Sequence, residues 1–168
     1  TFMVPLGIGT AAAVSVGYFV GKADPAMARA QGFKALRYTL MFMACTGLIF
    51  GLLGGTLLKI YTQDVAVLTM AYPVLMIAAL FQLSDGTQTV LTGALRGLGD
   101  TKSAFIANLL GHWAIGLPLG LWVGLGKAKG VFGIWIGLAI GLTCVAASLV
   151  WTWNKRSRYT QRREESLR

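Results

Sequence analysis

The chain alternates between long apolar stretches and short polar clusters. A helix that crosses the hydrocarbon core of a bilayer needs about 20 mainly apolar residues. Five stretches meet this length, at residues 1–20, 38–58, 66–95, 104–125 and 131–153. Continuous apolar runs favour helices over barrel strands, which would show about ten residues of alternating polarity. The pattern predicts an all-α integral membrane protein, a bundle of about five transmembrane helices.

The polar segments between the stretches carry signals that start helices. Asp24 followed by Pro25 is typical of an N-cap and the first helical position. Residues 25–37 are therefore expected to form an amphipathic lead-in to the second span. Asp100 is expected to cap the fourth span in the same way.

Composition agrees with a membrane location. The chain is 55% apolar and 12% charged, whereas soluble domains are about 25% charged. A net charge of +9 would suggest nucleic-acid binding in a soluble protein, but here the basic residues flank apolar spans. Cys45 and Cys144 lie in apolar segments without a C-x-x-C partner, so we interpret them as small buried apolar residues.

The basic residues divide unequally between the two sides of the predicted bundle. Twelve fall on one side and three on the other, and the richer side is expected to be cytoplasmic. Residues 1–153 are thus assigned to the bundle and residues 154–168 to a basic cytoplasmic tail, expected to be a frayed helix, with Thr1 outside. The twelve are Lys22, Arg29, Lys34, Arg37, Arg96, Lys102, Lys155, Arg156, Arg158, Arg162, Arg163 and Arg168, and the three are Lys59, Lys127 and Lys129.

The first residue is Thr1, and the apolar stretch that it opens lacks the basic start of a signal peptide. The simplest interpretation is that the chain begins partway through a larger protein. A processed N-terminus is the alternative.

Of the six acidic residues, Asp85 alone lies inside a span. An ionised carboxylate at membrane depth costs at least about 2.5 kcal/mol, and such residues usually mark an ion or substrate path. The alternative is a protonated Asp that is hydrogen-bonded to a neighbouring helix. Gln82, Gln88 and Thr92 share its helical face, so this polar stripe is expected to face protein or water.

Further candidates lie in the same span and the next two. Pro73 is expected to kink the third span and help to form a cavity. Asn108 and His112 lie four residues apart on one face, which favours interhelical hydrogen bonding and leaves a proton relay as the alternative. Trp151 and Trp153 suit an interfacial belt. Because no nucleophile elbow, zinc motif or phosphate loop is present, we predict neither enzyme activity nor a cofactor.

Small residues also recur four apart, which lets transmembrane backbones approach closely. This spacing indicates a polytopic bundle. The glycine pairs are 17 and 21, 47 and 51, 116 and 120, 133 and 137, and 137 and 141.

Two segments carry a family resemblance. Residues 82–88, QLSDGTQ, followed by residues 95–101, LRGLGDT, resemble the multidrug and toxic compound extrusion (MATE) family, especially its NorM-like bacterial branch. The segments GHW at 111–113, GLPLG at 116–120 and GIWIGL at 133–138 fit as well.

The resemblance implies a fold of twelve helices in two six-helix lobes, of which this chain would supply helices eight to twelve. It implies export of cationic amphipathic drugs and dyes in exchange for sodium or protons. Asp85 would belong to the cation site, and its acidic partner would lie on the preceding helix. Position 112 is often tyrosine in the family, so the role of His112 stays open.

We therefore expect a part of a cation-coupled multidrug antiporter in a bacterial inner membrane, working by alternating access with a missing N-terminal lobe. Asp85 would couple the cation, and would be a metal ligand only with sodium. The candidates for lining the pathway are Gln82, Gln88, Thr92, Asn108 and His112. The partners would be cationic drug-like molecules and the bilayer, with no nucleic acid.

Two alternatives remain. A lipid-linked oligosaccharide flippase of the same superfamily would be expected to have Arg and Lys in its cleft, and none lies deep in a span here. A non-transporting scaffold subunit would not need the polar stripe around Asp85.

Overall fold

The structure is a computed structural model that describes residues 1–126 and 130–165, with the side chains of the last helix described through residue 160. Within these ranges it contains five helices and no strand. Each helix is long and apolar enough to cross a membrane, which confirms the predicted fold class. They are α1 (Met3–Gly21), α2 (Pro25–Tyr61), α3 (Val65–Gly97), α4 (Thr101–Gly126) and α5 (Gly130–Glu165).

The predicted helix starts are confirmed by side-chain caps. The Asp24 carboxylate accepts the backbone N–H of Met27 at 3.0 Å, with Pro25 at the first helical position. Asp100 caps α4 by accepting the N–H of Ser103, also at 3.0 Å. The lead-in and the second span form one continuous helix. The start of α3 has a cap that the sequence pattern did not indicate, Asp64.

The last helix continues through residue 153 to Glu165 without a break. The first part of the predicted tail is therefore an extension of the fifth span. Several residues of the charge count lie outside the described ones. These are Lys127, Lys129, Arg168 and the side chains of Arg162 and Arg163.

The fourth helix is irregular. Regular α-helix at Thr101–Leu109 and Leu117–Leu121 alternates with π-helical segments at Leu110–Gly116 and Trp122–Gly126. A π-helical turn contains one extra residue and often occurs at functional sites. The angular position of side chains beyond Leu109 therefore differs from that in a plain helix.

The core forms around the second half of α3, which contacts α1, α2 and α5. Val90 and Leu91 pack there with Val16 of α1 and with Leu149 and Trp153 of α5. Residues 65–81 of α3, in contrast, include no buried residue. A cavity of about 930 Å³ lies between this first half, the start of α5 and the end of α2. Pro73 is one of the residues that line the cavity. The bundle is therefore tightly packed at its basic end and open at the other.

Glycines allow two pairs of helices to touch through their backbones. A β-carbon on Gly141 would lie 2.6 Å from the Cα of Gly116, and one on Gly137 would clash with the backbone of Gly120. We call this α4–α5 contact the glycine seam. Gly93 and Gly9 make a similar contact between α3 and α1. The close backbone approach that small residues allow is thus found at the seam.

Glycine spacing alone did not identify the contacts. A β-carbon on Gly21 or Gly51 would meet no atom within 4 Å. These two glycines lie on open helix surface, although Gly17 and Gly47, the other members of their pairs, face the backbone of α3.

Two interpretations of apolar-segment residues are wrong. Trp153 is fully buried rather than interfacial, because its ring lies over Gly32 of α2, where no side chain occupies the space. Trp151, two residues earlier, is 65% exposed and keeps a position suited to the interface. Cys45 and Cys144 are exposed on the outer surface of the bundle rather than buried in it. An apolar surface residue of this kind can face lipid.

Candidate functional site

Three side chains in the middle of α3 form hydrogen bonds, each with a residue of a different helix. The Thr46 hydroxyl of α2 donates to Gln82 Oε1 at 2.5 Å. Gln88 donates its amide N–H to Asn108 Oδ1 of α4. The hydroxyls of Ser84 and Thr143 lie 3.1 Å apart and join α3 to α5. The polar residues of this segment therefore hold the bundle together at mid-span.

Asp85 lies among these residues and is half-buried. No described residue donates a hydrogen bond or an ion pair to its carboxylate. Its neighbour Gly86 is pressed against Met43 and Thr39 of α2. Because successive residues of an α-helix differ by about 100°, Asp85 is turned away from that contact.

The predicted polar stripe divides into two parts. Gln82 is buried and held on the α2 side by Thr46. Residues three, four and seven apart share a face of a helix. Asp85, Gln88 and Thr92 therefore lie together on another side of α3. The Thr92 hydroxyl is buried without a hydrogen-bond partner among the described residues. Asp85 and Thr92 are thus two unsatisfied oxygen-bearing groups on one face.

The favoured interpretation of Asn108 and His112 as interhelical hydrogen-bonding residues holds for Asn108, whereas no hydrogen bond joins His112 to another helix in the described ranges. Asn108 Oδ1 accepts from Gln88, and its Nδ2 donates to the Ala104 carbonyl of its own helix at 2.8 Å. It is not hydrogen-bonded to His112. Both polar atoms of this amide are therefore engaged in hydrogen bonds.

His112 lies in the first π-helical segment of α4. It is half-buried, and its Nδ1 is buried without a hydrogen-bond partner in the described part of the chain. It lines a cavity of about 320 Å³ with Phe105, Asn108, Leu109 and Trp113. A buried nitrogen that lacks a partner usually has an explanation in a ligand, a water molecule or a catalytic role.

Helix register places His112 and Asp85 at similar depths. α3 and α4 are successive antiparallel helices that are paired at Gln88 and Asn108. His112 lies four residues after Asn108, a rise of about 6 Å, and Asp85 lies three residues before Gln88, a rise of about 4.5 Å in the same direction. The part of α4 that contacts α3 ends at Leu109, and Leu110–Gly116 makes no close backbone approach to α3. α4 therefore diverges from α3 beyond the Gln88–Asn108 bond, and we call the space between the two helices at the level of Asp85 and His112 the α3–α4 opening.

Polar groups lie on both helices at this level. Asp85 of α3 carries a carboxylate, and His112 of α4 carries a buried imidazole nitrogen without a partner among the described residues. Thr92 lies on the other side of the hydrogen bond between Gln88 and Asn108. Within the described ranges, no three His, Cys, Asp or Glu side chains come together. The sequence identified Asp85 and His112 by type, but it did not indicate that α4 diverges from α3 between them.

Comparison with known proteins gives a consistent result. The MatE family model matches residues 1–122. The chain is 42% identical over 161 residues to the Multidrug resistance protein NorM of Burkholderia vietnamiensis, covering 93% of this chain and 35% of that protein. It is 38% identical over 149 residues to the Multidrug resistance protein MdtK of Proteus mirabilis, covering 86% and 33%. The chain therefore spans about a third of the length of these curated relatives.

Two solved structures share the fold. The crystal structure of the eukaryotic MATE transporter AtDTX14 aligns with a TM-score of 0.83 at 22% identity, covering 97% of this chain and 38% of that one. An inward-facing conformation of a multidrug resistance MATE family transporter of the MOP superfamily aligns with a TM-score of 0.82 at 16% identity, covering 89% and 34%. At these identities the likeness concerns the fold alone.

Proposed function

Because this chain belongs to the MatE family, we propose that it forms most of one lobe of a cation-coupled multidrug antiporter. The other lobe would be supplied by the rest of the complete protein, and transport would proceed by alternating access between the two. The substrates would be cationic amphipathic molecules, and the coupling ion would be sodium or a proton. The NorM and MdtK names of its relatives support this assignment.

The observation that carries the proposal is the unpaired carboxylate of Asp85. A structural carboxylate inside a membrane would be hydrogen-bonded to a neighbouring helix. Here the neighbours Gln82, Ser84 and Gln88 bond to other helices, and Asp85 is left without a partner among the described residues. Such a carboxylate can accept a proton or a sodium ion.

A sodium ion would need several oxygen ligands, which hard cations prefer. Asp85 is the carboxylate that this chain would offer to such a site. The unpartnered hydroxyl of Thr92 shares its face of α3, but it lies seven residues, about 10 Å, farther along the helix and beyond the hydrogen bond between Gln88 and Asn108. The other ligands of a sodium ion would therefore come from another part of the complete protein, whereas a proton would need only the carboxylate.

The α3–α4 opening offers a place for the organic cation. Asp85 would provide the negative charge, and Trp113, which lines a cavity on α4 together with His112, would provide an aromatic face. Aromatic faces attract cations by about 0.5–2 kcal/mol. One end of the opening is closed by the hydrogen bond between Gln88 and Asn108.

The proposal is tested by Asp85→Asn in the complete protein. Asparagine keeps the size of the side chain but removes its charge. We expect normal amounts in the membrane and loss of resistance to a cationic dye such as ethidium. Asp24→Asn is the matched control, because it makes the same change at a helix cap, a position where asparagine substitutes well. Resistance that survives in Asp85→Asn would exclude Asp85 as the coupling residue.

A further inference from the structure

The basic end of α5 presents two different faces. Trp153 and Ser157 point into the bundle and are buried. On the outer face, a groove of about 530 Å³ is lined by Trp151, Asn154, Lys155, Arg158 and Tyr159. This groove combines exposed aromatic rings with two positive charges at the end of a membrane-spanning helix.

A hydrogen bond from α2 orients the amide in this groove. Arg29 donates from its guanidinium to Asn154 Oδ1 at 3.3 Å. Because the oxygen of the amide is engaged, its Nδ2 keeps two N–H donors available. Arg29 also lies over the ring of Phe33, 5.2 Å from the centroid, which holds the guanidinium in place. A third positive charge is thus fixed beside the groove.

The positive charges of the groove lack acidic partners in the part of the chain that the structure describes. Arg156, on the opposite side of the helix, forms the ion pair found there, with Asp100. Lys155 lies 5.0 Å from the ring centroid of Trp151. No carboxylate pairs with Arg29, Lys155 or Arg158 among those residues. The groove therefore carries uncompensated charge as well as free N–H donors.

We propose that this groove binds the headgroup of an anionic phospholipid. The phosphate would contact Lys155, Arg158 and the Asn154 amide, while Trp151 would lie at the boundary between headgroups and acyl chains, where tryptophan is enriched. Basic pockets at the ends of transmembrane helices are suited to anionic headgroups. The site is separate from Asp85 and from the α3–α4 opening, so it does not depend on the transport proposal.

Native mass spectrometry of the complete protein tests the site. The probe is dioleoyl phosphatidylglycerol, compared with dioleoyl phosphatidylcholine, which has the same acyl chains and no net charge. We expect preferential binding of phosphatidylglycerol, weakened roughly 25-fold in Lys155→Gln/Arg158→Gln because each basic residue near a headgroup contributes to binding. The matched control, Lys34→Gln/Arg37→Gln, removes two exposed charges elsewhere on the basic side and should retain most of the affinity.

Equal losses in both double variants would overturn the proposal, since they would show attraction by diffuse charge rather than by this groove. Displacement of the lipid by inorganic phosphate at a matched concentration would also overturn it, in favour of a site for a free anion.

Asn154→Asp provides a second variant that keeps the fold. The new carboxylate would still accept from Arg29, but it would place a negative charge in the groove and remove the amide donors. We expect an unchanged melting temperature and loss of the preference for phosphatidylglycerol. Retention of the preference in this variant would contradict the proposed site.

Discussion

Arg156 Nε lies 2.8 Å from Asp100 Oδ2 and joins the last helix to the start of α4. The same carboxylate accepts the hydroxyl of Ser103 at 2.8 Å and its backbone N–H at 3.0 Å. Partial burial by itself raises the pKa of Asp100, but the Ser103 hydrogen bonds and the Arg156 charge outweigh it and hold the pKa below its ordinary value. The ionised form therefore stabilises the fold.

This relationship predicts how stability depends on pH. Because the pKa of Asp100 is lower in the folded state, the ionised carboxylate adds to the free energy of unfolding at any pH above its unfolded pKa of about 3.9. This stabilisation is lost as the pH falls through the pKa of the folded state. Asp100→Asn keeps a capping residue and removes the ion pair, so it should cost about 0.2–1 kcal/mol at pH 7 because Arg156 is largely exposed. When unfolding in detergent is measured from pH 7 downward, the difference in free energy of unfolding between the wild type and Asp100→Asn should shrink below about pH 4. A difference that grows on acidification would contradict this assignment.

The glycine seam predicts a position-specific effect of added methyl groups. Gly137→Ala would place its β-carbon against the backbone of Gly120, which cannot rotate away, and overpacking of this kind costs about 1–3 kcal/mol. Gly51→Ala is the matched control, because no atom lies within 4 Å of its β-carbon. In a helix this control should be neutral or stabilising by up to about 1 kcal/mol. Thermal unfolding in one detergent would compare them, and similar melting temperatures for the two variants would argue against the seam.

The charge asymmetry predicts which ends are cytoplasmic. Ala26 is exposed at the start of α2, and Gln63 is exposed just beyond its end. In a protein whose exposed Cys45 and Cys144 are replaced by serine, cysteine at position 26 should be labelled only from the cytoplasm. Cysteine at position 63 should be labelled only from outside, with a membrane-impermeant maleimide on intact cells as the measurement. The reverse pattern would refute the orientation.

The transport proposal predicts competition between ions and drug at Asp85. Dye affinity of the purified complete protein should fall as the pH is lowered, because protonation removes the attraction. With sodium coupling, added sodium should displace the dye at constant ionic strength, whereas potassium should do so much less. Asp85→Asn should bind dye weakly at every pH, measured by fluorescence anisotropy.

His112 lies at a similar depth on the facing helix, so His112→Gln separates its contribution from that of Asp85. The pH response should persist in that variant if Asp85 is responsible. A wild-type affinity that responds to neither pH nor sodium would exclude competition at Asp85.

The positions of the helices could be predicted from the sequence because hydrophobic length and capping are local properties. Asp24 and Asp100 act on backbone N–H groups three residues away, and no knowledge of the rest of the fold is needed. The apolar spans follow from the thickness of the bilayer. Helix boundaries therefore differ from the predicted ones by only a few residues, apart from the extensions of α2 and α5.

The environment of each side chain could not be predicted in the same way. Helical spacing places Gln82 near Asp85, but the position of Thr46 on another helix decides that Gln82 turns to α2. Trp153 was expected at the interface because tryptophan is common there, yet Gly32 on α2 makes room for its ring in the core. Both outcomes depend on residues more than 35 positions away. The α3–α4 opening depends on the π-helical segments, whose extra residue has no signature in the apolar pattern.

The glycine seam has a consequence for the entropy of the fold. A buried Lys, Met or Gln side chain loses about 1.5–2 kcal/mol of rotamer freedom on packing, whereas glycine has none to lose. Gly116, Gly120, Gly137 and Gly141 meet backbone to backbone, so α4 and α5 associate there without freezing any side-chain torsion. The favourable dispersion energy between the two closely packed backbones is therefore not offset by a loss of side-chain entropy. The pair is expected to behave as a single stiff body at temperatures at which helices joined through long side chains would begin to slide past one another.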